Sequence, residues 1–292
     1  MTIRSWLFVP GDSEKKLLKT PETGADAIIV DLEDSVTLYN KVEARRLARD
    51  WLEAHRRQIV ERKMGRWVRI NPLDTDLWRE DLLAVMPAAP DGIMLPKSAG
   101  PEHIRQLAAE IYEQENRNHI PSGSTRILPI VSETAHSALT IPAYLDPSLP
   151  RLAGLTWGAE DLSAVLGATR KRDAARQWTD TFRFVRAQTL LTAHARELMA
   201  IDTLYDDFRD VEGFTAYAEA SKADGFTGML AIHPAQVPII NRAFSPSEEE
   251  LAFARAVVSA FAASPGAGAL QIDGKMIDQP HLKLARRLLG MD

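Results

Sequence analysis

Short apolar runs of strand character alternate with longer amphipathic stretches along the chain, and this rhythm limits the possible folds more than any other feature. The runs are Ser5–Pro10, Ala27–Glu33, Trp67–Pro72, Gly92–Lys97, Ile127–Glu133, Leu152–Asp161, Ala200–Tyr205 and Gly228–Pro234. Between them apolar residues recur three or four apart, as in Lys41–Arg57, Pro101–Asn116, Thr181–Leu198 and Thr215–Ala223. That is the period of a helix with one buried face. Strict strand–helix alternation implies a parallel sheet, and eight such units imply a closed (β/α)8 TIM barrel. An open doubly wound sheet usually carries a glycine-rich turn after its first strand. Here that strand ends Phe8-Val9-Pro10-Gly11-Asp12, which is not that pattern.

The barrel domain is expected over residues 1–263, closing with a helix over Ser247–Ala263 whose start signal is Ser245-Pro246-Ser247. Ser264-Pro265-Gly266-Ala267-Gly268 reads as a hinge. Residues 264–292 then form a helical tail extension, with Ile272-Asp273-Gly274-Lys275-Met276-Ile277-Asp278 ahead of a proline and a short basic helix. A piece this small cannot bury a core of its own, so it is expected to pack on its own barrel or on a neighbouring subunit.

A length of 292 residues suits one large barrel or two ordinary domains. The formal net charge of -5 offers no basic footprint for nucleic acid. No apolar run reaches the roughly 18 residues that span a bilayer, and the first residues lack the pattern of a signal peptide. The chain has no cysteine, which excludes disulfides, thiolate metal sites and a cysteine nucleophile and fits a cytoplasmic protein.

In such a barrel the site lies at the carboxyl ends of the strands, and those ends are rich in acids. The fifth run ends in Glu133, and the sixth in Glu160 and Asp161. Neighbouring strands lie about 4.8 Å apart, so Glu133 and Asp161 could share one hard divalent cation. The second run ends Val30-Asp31-Leu32-Glu33-Asp34, the third carries Arg69 and Asn71, the fourth ends in Lys97, the seventh has Asp202 and the eighth ends Ile232-His233-Pro234. A buried arginine needs a partner, and for Arg69 that is either an acid of the second strand or a substrate carboxylate. Lys97 is either a Schiff-base nucleophile or, as the nearby acids favour, an ion-pair partner. Asp34 suits a helix cap as well as a site acid, and Asp278, just before Gln279-Pro280, also suits a cap. His233 reads as structural, and Trp6 and Trp157 as core or pocket wall.

Arg4-Ser5-Trp6-Leu7-Phe8-Val9-Pro10-Gly11, Val30-Asp31-Leu32-Glu33-Asp34, Val68-Arg69-Ile70-Asn71-Pro72, Met94-Leu95-Pro96-Lys97, Pro129-Ile130-Val131-Ser132-Glu133-Thr134, Trp157-Gly158-Ala159-Glu160-Asp161-Leu162 and Ala231-Ile232-His233-Pro234 together resemble the HpcH/HpaI aldolase and citrate lyase β-subunit family. The closer branch is similar to the citrate-lyase-β-like acyl-CoA lyases, which include citramalyl-CoA and malyl-CoA lyases. The resemblance covers nearly the whole chain. It implies a metal-dependent carbon–carbon lyase that splits a 3-hydroxyacyl-CoA into acetyl-CoA and a 2-oxo acid such as pyruvate or glyoxylate. By position, Glu133 and Asp161 match the magnesium ligands, with manganese able to stand in. Arg69 matches the arginine on the substrate oxygens, which Glu133 also adjoins, and Glu33 and Asp34 match acids lining the metal site.

The segment Gly274–Asp278 is similar to the tail of lyases acting on free CoA thioesters, where the matching aspartate is the acid/base in a neighbouring subunit's site. The resemblance therefore implies that Asp278 is catalytic and that the enzyme is a homo-oligomer, a trimer or hexamer. Coenzyme A arrives as part of the substrate, and Lys15, Lys16 and Lys19 after the first strand are candidates to meet its nucleotide. Two alternatives are a citrate lyase β subunit, against which the tail speaks, and a class I aldolase using Lys97. Thioester hydrolysis needs the same geometry. Asp34-Ser35-Val36-Thr37-Leu38-Tyr39 departs from the relatives' usual turn, so Tyr39 is placed to reshape the pocket mouth.

Overall fold

Eight parallel strands form, shorter than the runs that announce them. They are β1 (Ser5–Pro10), β2 (Ala27–Asp31), β3 (Gly65–Arg69), β4 (Gly92–Leu95), β5 (Arg126–Pro129), β6 (Gly154–Thr156), β7 (Met199–Asp202) and β8 (Gly228–Ala231). The structure is a computed structural model that describes residues 3–56 and 64–291. The sheet order is β5-β4-β3-β2-β1-β8-β7-β6. Between β5 and β6 the ring closes by backbone bridges: Ile127 N–H donates to the Arg151 carbonyl at 2.8 Å, and Val131 N–H to the Thr156 carbonyl at 2.9 Å. The result is the expected (β/α)8 barrel.

Successive strand residues point to opposite faces, and this sorts the core into two. Trp6, Ala27, Ile29, Trp67, Leu128 and Leu230 fill the barrel interior. Their neighbours in sequence, such as Leu7, Ile28, Val30 and Val68, face the surrounding helices. Trp6 and Trp67 meet edge to face, with ring centroids 5.0 Å apart. Gly92 makes room for this pair, since a Cβ there would lie 2.2 Å from the Trp67 ring. The helices Lys41–His55, Pro101–Arg117, Asp180–Ala195 and Val211–Asp224 occupy the expected stretches, Arg57 lying outside the described residues. No helix among the described residues is long and apolar enough to cross a membrane.

The chain divides into two compact units, 1–244 and 245–292, ahead of the break expected at residue 264. Met1 and Asp292, the outer ends of the expected domains, lie outside the described residues. The helix Glu248–Ala263 belongs to the second unit, because its Ala254, Val257 and Phe261 bury with Ile277, Leu282 and Ala285. Ser247 caps that helix: its hydroxyl accepts from Glu250 N–H at 3.1 Å, while the Glu250 carboxylate accepts from Ser247 N–H at 2.8 Å. The tail is not wholly helical. β9 (Ala269–Ile272) and β10 (Lys275–Asp278) pair antiparallel ahead of the helix Gln279–Leu288. Asp273 and Gly274 form their turn with φ of 48° and 77°, the two positive values that a type I′ hairpin turn requires.

Candidate active site

The register of β2 and β3 sets Asp31 opposite Arg69. Nε and Nη2 of Arg69 donate to the two Asp31 oxygens, each at 2.7 Å. Nη1 lies 3.0 Å from Glu33 Oε2 but off the hydrogen-bonding direction, which leaves that buried oxygen without a donor among the described residues. The Phe8 ring lies 4.8 Å from the guanidinium carbon. Burial works against the guanidinium charge, but the Asp31 carboxylate outweighs it and holds Arg69 above its ordinary value. Burial likewise pushes Asp31 up, and the Arg69 charge and hydrogen bonds reverse this and hold Asp31 low.

Lys97 gathers three acids, two from the turn after β2 and one from the helix Ala159–Leu166. Its Nζ is hydrogen-bonded to Glu33 Oε1 and lies 3.4 Å from Asp34 Oδ2 and 3.5 Å from Asp161 Oδ1. Lys97 is thus an ion-pair partner: burial opposes its charge, but Glu33, Glu133 and Asp161 hold it protonated well above the usual lysine range. A protonated amine cannot attack a carbonyl, which counts against the Schiff-base reading. The Lys97 backbone adopts φ 48° and its N–H donates to Glu133 Oε2.

Glu133 and Asp161 belong to loop and helix rather than to strand ends. Glu133 follows β5 by four residues and is 3% exposed. Asp161 sits in the first turn of the helix Ala159–Leu166, beyond β6. The expected strands Ile127–Glu133 and Leu152–Asp161 ran too far because apolar residues continue past the ladder into the turns. Burial first, then the Asp161 and Glu33 charges, push the Glu133 carboxyl up to about 8. Its Oε1 has no hydrogen-bond partner among the described residues. Burial also raises Glu33, against the pull of Arg69 and Lys97.

A cavity of about 230 Å³ lies at the carboxyl ends of the strands, lined by Asp31, Arg69, Glu133 and Asp161 and by apolar residues including Phe8, Ile130, Trp157 and Leu230. Of the three lysines after β1, Lys16 is the one that lines it; Lys15 and Lys19 are exposed beside it in sequence. Among the lining residues the acids Asp31, Glu133, Glu160 and Asp161 outnumber the cations Lys16 and Arg69, so the cavity wall is rich in carboxyl groups. Among the described residues no three acids or histidines converge as a complete cage. Glu133 Oε1 and the Asp161 carboxylate, which accept no hydrogen bond among the described residues, suit a hard cation that keeps waters or ligand oxygens for its remaining positions.

Other candidates are held by partners of their own. Asp202 accepts from Trp157 Nε1 at 2.7 Å and pairs with Arg186 at 2.8 Å. Asn71 accepts from Lys41 Nζ at 2.8 Å and donates to Asp81 at 2.6 Å. Glu160 pairs with Lys171, and His233 caps a helical turn by accepting from Ala235 N–H at 3.2 Å. Asp278 stands at the N-terminus of the helix Gln279–Leu288, 2.5 Å from His281 Nδ1. That contact holds its carboxyl below the usual range.

Sequence reasoning missed two residues that build the site. Lys41 donates to the Leu32 and Glu33 carbonyls at 2.6 and 2.8 Å and so fixes the turn that carries Glu33; a buried lysine at a helix start was the available signal. Gly158 lies against the Glu133 side chain, and the Trp-Gly-Ala-Glu-Asp run was its signal.

A family profile described as HpcH/HpaI aldolase/citrate lyase matches residues 4–234. A (3S)-malyl-CoA thioesterase of Cereibacter sphaeroides is 35% identical, over 98% of this chain and 93% of its own length. The mitochondrial citramalyl-CoA lyase of Mus musculus is 33% identical, over 99% and 85%. The crystal structure of CitE from Mycobacterium tuberculosis in complex with magnesium, acetoacetate and coenzyme A superposes with a TM-score of 0.81 at 32% identity, covering 99% of this chain and 98% of that one.

Proposed function

We propose that this chain, which belongs to the HpcH/HpaI aldolase/citrate lyase family, is a magnesium-dependent lyase that splits a 3-hydroxyacyl-CoA such as citramalyl-CoA or malyl-CoA. The products are acetyl-CoA and a 2-oxo acid, pyruvate or glyoxylate. The observation that carries this reading is the excess of carboxylates over cations around one small cavity, with Glu133 pushed up to about 8 beside Asp161. A buried acid in that state suits a divalent cation, which would relieve the repulsion.

Glu133 and Asp161 would hold the magnesium, and manganese could take its place. When bound, the ion supplies Lewis-acid polarisation of the substrate's carboxylate and hydroxyl oxygens. Arg69, locked by Asp31, faces the cavity as a fixed cation where negative charge develops as the hydroxyl becomes a carbonyl. Glu33 and Asp34 orient the cationic groups around that point. The hydroxyl gives its proton to solvent, the carbon–carbon bond breaks, and its electron pair leaves with the acetyl-CoA fragment as an enolate. Asp278 would protonate that carbon, or remove the proton in condensation, acting in the site of a neighbouring subunit of a trimer or hexamer. Lys16, together with Lys15 and Lys19, would meet the CoA phosphates.

The name of the Cereibacter sphaeroides relative favours one second reading, hydrolysis of the thioester. A panel of CoA thioesters assayed with magnesium and with EDTA separates the two. The lyase releases 2-oxo acid and acetyl-CoA only with metal, whereas a thioesterase releases free CoA and an intact hydroxy acid. Turnover that persists in EDTA would overturn the metal-dependent reading.

A further inference from the structure

We propose that the Lys97 ammonium is a built-in counter-cation that competes with the divalent ion and sets how tightly it binds. This rests on the metal-site reading above. Lys97 Nζ is hydrogen-bonded to Glu33 and lies 3.4 Å from Asp34 and 3.5 Å from Asp161. Asp31 occupies the Nε–Nη2 edge of the Arg69 guanidinium, and Lys97 is the cation that stands beside Asp34 and Asp161. A divalent ion held by Asp161 and Glu133 would place like charges within a few ångströms, and at such distances the repulsion is not screened away by solvent. The ammonium must then give up Asp161 and keep Glu33 and Asp34.

Charge and geometry are separable at this residue. The backbone N–H, not the side chain, holds Glu133 Oε2, and the left-handed φ of 48° that aims it belongs to the turn. Replacing the side chain removes the competitor and leaves the Glu133 anchor in place. Lys97 is therefore a positioning residue whose charge trades metal affinity against the order of the metal-free acids.

The test is direct titration with Mn²⁺, read by the electron paramagnetic resonance of the free ion and by calorimetry on the full chain. Lys97→Met should bind Mn²⁺ roughly tenfold more tightly than wild type, a coupling of ordinary size for two linked sites. Lys97→Arg, which keeps the charge, should stay near wild type. Lys97→Gln, which keeps a donor to Glu33, should tighten like the Met variant and serves where that variant does not fold. Equal or weaker Mn²⁺ binding in a folded Met or Gln variant overturns this inference alone. Failure of the wild-type chain to bind Mn²⁺ overturns both it and the metal-site reading.

Discussion

Residue 158 is a glycine because Glu133 lies against it: a Cβ built there would sit 2.8 Å from Glu133 Cγ and 3.3 Å from Oε1. Gly158→Ala should therefore push the Glu133 carboxylate out of place while leaving the barrel intact. Mn²⁺ affinity and turnover should each fall about tenfold or more, as sub-ångström misplacement of a ligating group does. Thermal melting should change little. Unaltered Mn²⁺ binding in this variant would mean that the exact seat of Glu133 is unimportant.

The raised Glu133 carboxyl gives a pH dependence with a definite sign. Its folded value, about 8, exceeds its ordinary value of 4.5. The neutral acid is thus favoured in the folded protein, and its contribution is fully present below pH 4.5 and is lost as pH rises through 8. Metal-free Glu133→Gln should match wild type near pH 4.5 and melt about 3–5 °C higher at pH 8. The variant should gain no stability from magnesium. In the wild type, metal binding at pH 7 should release a proton, measurable as a buffer-dependent heat.

The Asp31–Arg69 pair should be necessary to the fold as well as to the site. Arg69→Met strands the buried Asp31 and leaves Glu33 to Lys97 alone, and should cost about 3 kcal/mol in denaturant unfolding. Asp31→Asn combined with Arg69→Met should recover part of that loss without restoring turnover. A loss in the double variant equal to the sum of the two single losses would show that the pair is not coupled.

Asp278→Ala should lower turnover at least a hundredfold and leave Mn²⁺ binding near wild type, the signature of a lost proton-transfer group. If Asp278 serves a neighbouring subunit, co-refolding it with inactive Glu133→Ala should restore activity, since mixed oligomers then contain sites with both residues intact. Two inactive variants that stay inactive when mixed would place Asp278 in its own subunit's site.

The barrel was legible because eight β/α units leave one economical closure, and the strand faces sort cleanly into two cores. Strand ends were not: the apolar residues after Pro129 and Thr156 are buried by loops, which period alone cannot distinguish from a ladder. Arg69 was visible as a buried charge and Asp31 only as one acid of the second run, so their pairing needs the register that sets them side by side. The hairpin in the tail was signalled by Asp273-Gly274 between alternating residues. The break at 244 was hidden, because a helix after the eighth strand looks the same whichever core it covers.

Adjacent strands are laced by continuous ladders around most of the ring, whereas β5 and β6 meet through the isolated bridges Ile127↔Leu152 and Ile130↔Thr156. Glu133 hangs from one lip of that slit and Asp161 from the other. A cation gripped by both would then serve the scaffold as well as the chemistry, stapling the ring along its most loosely stitched edge.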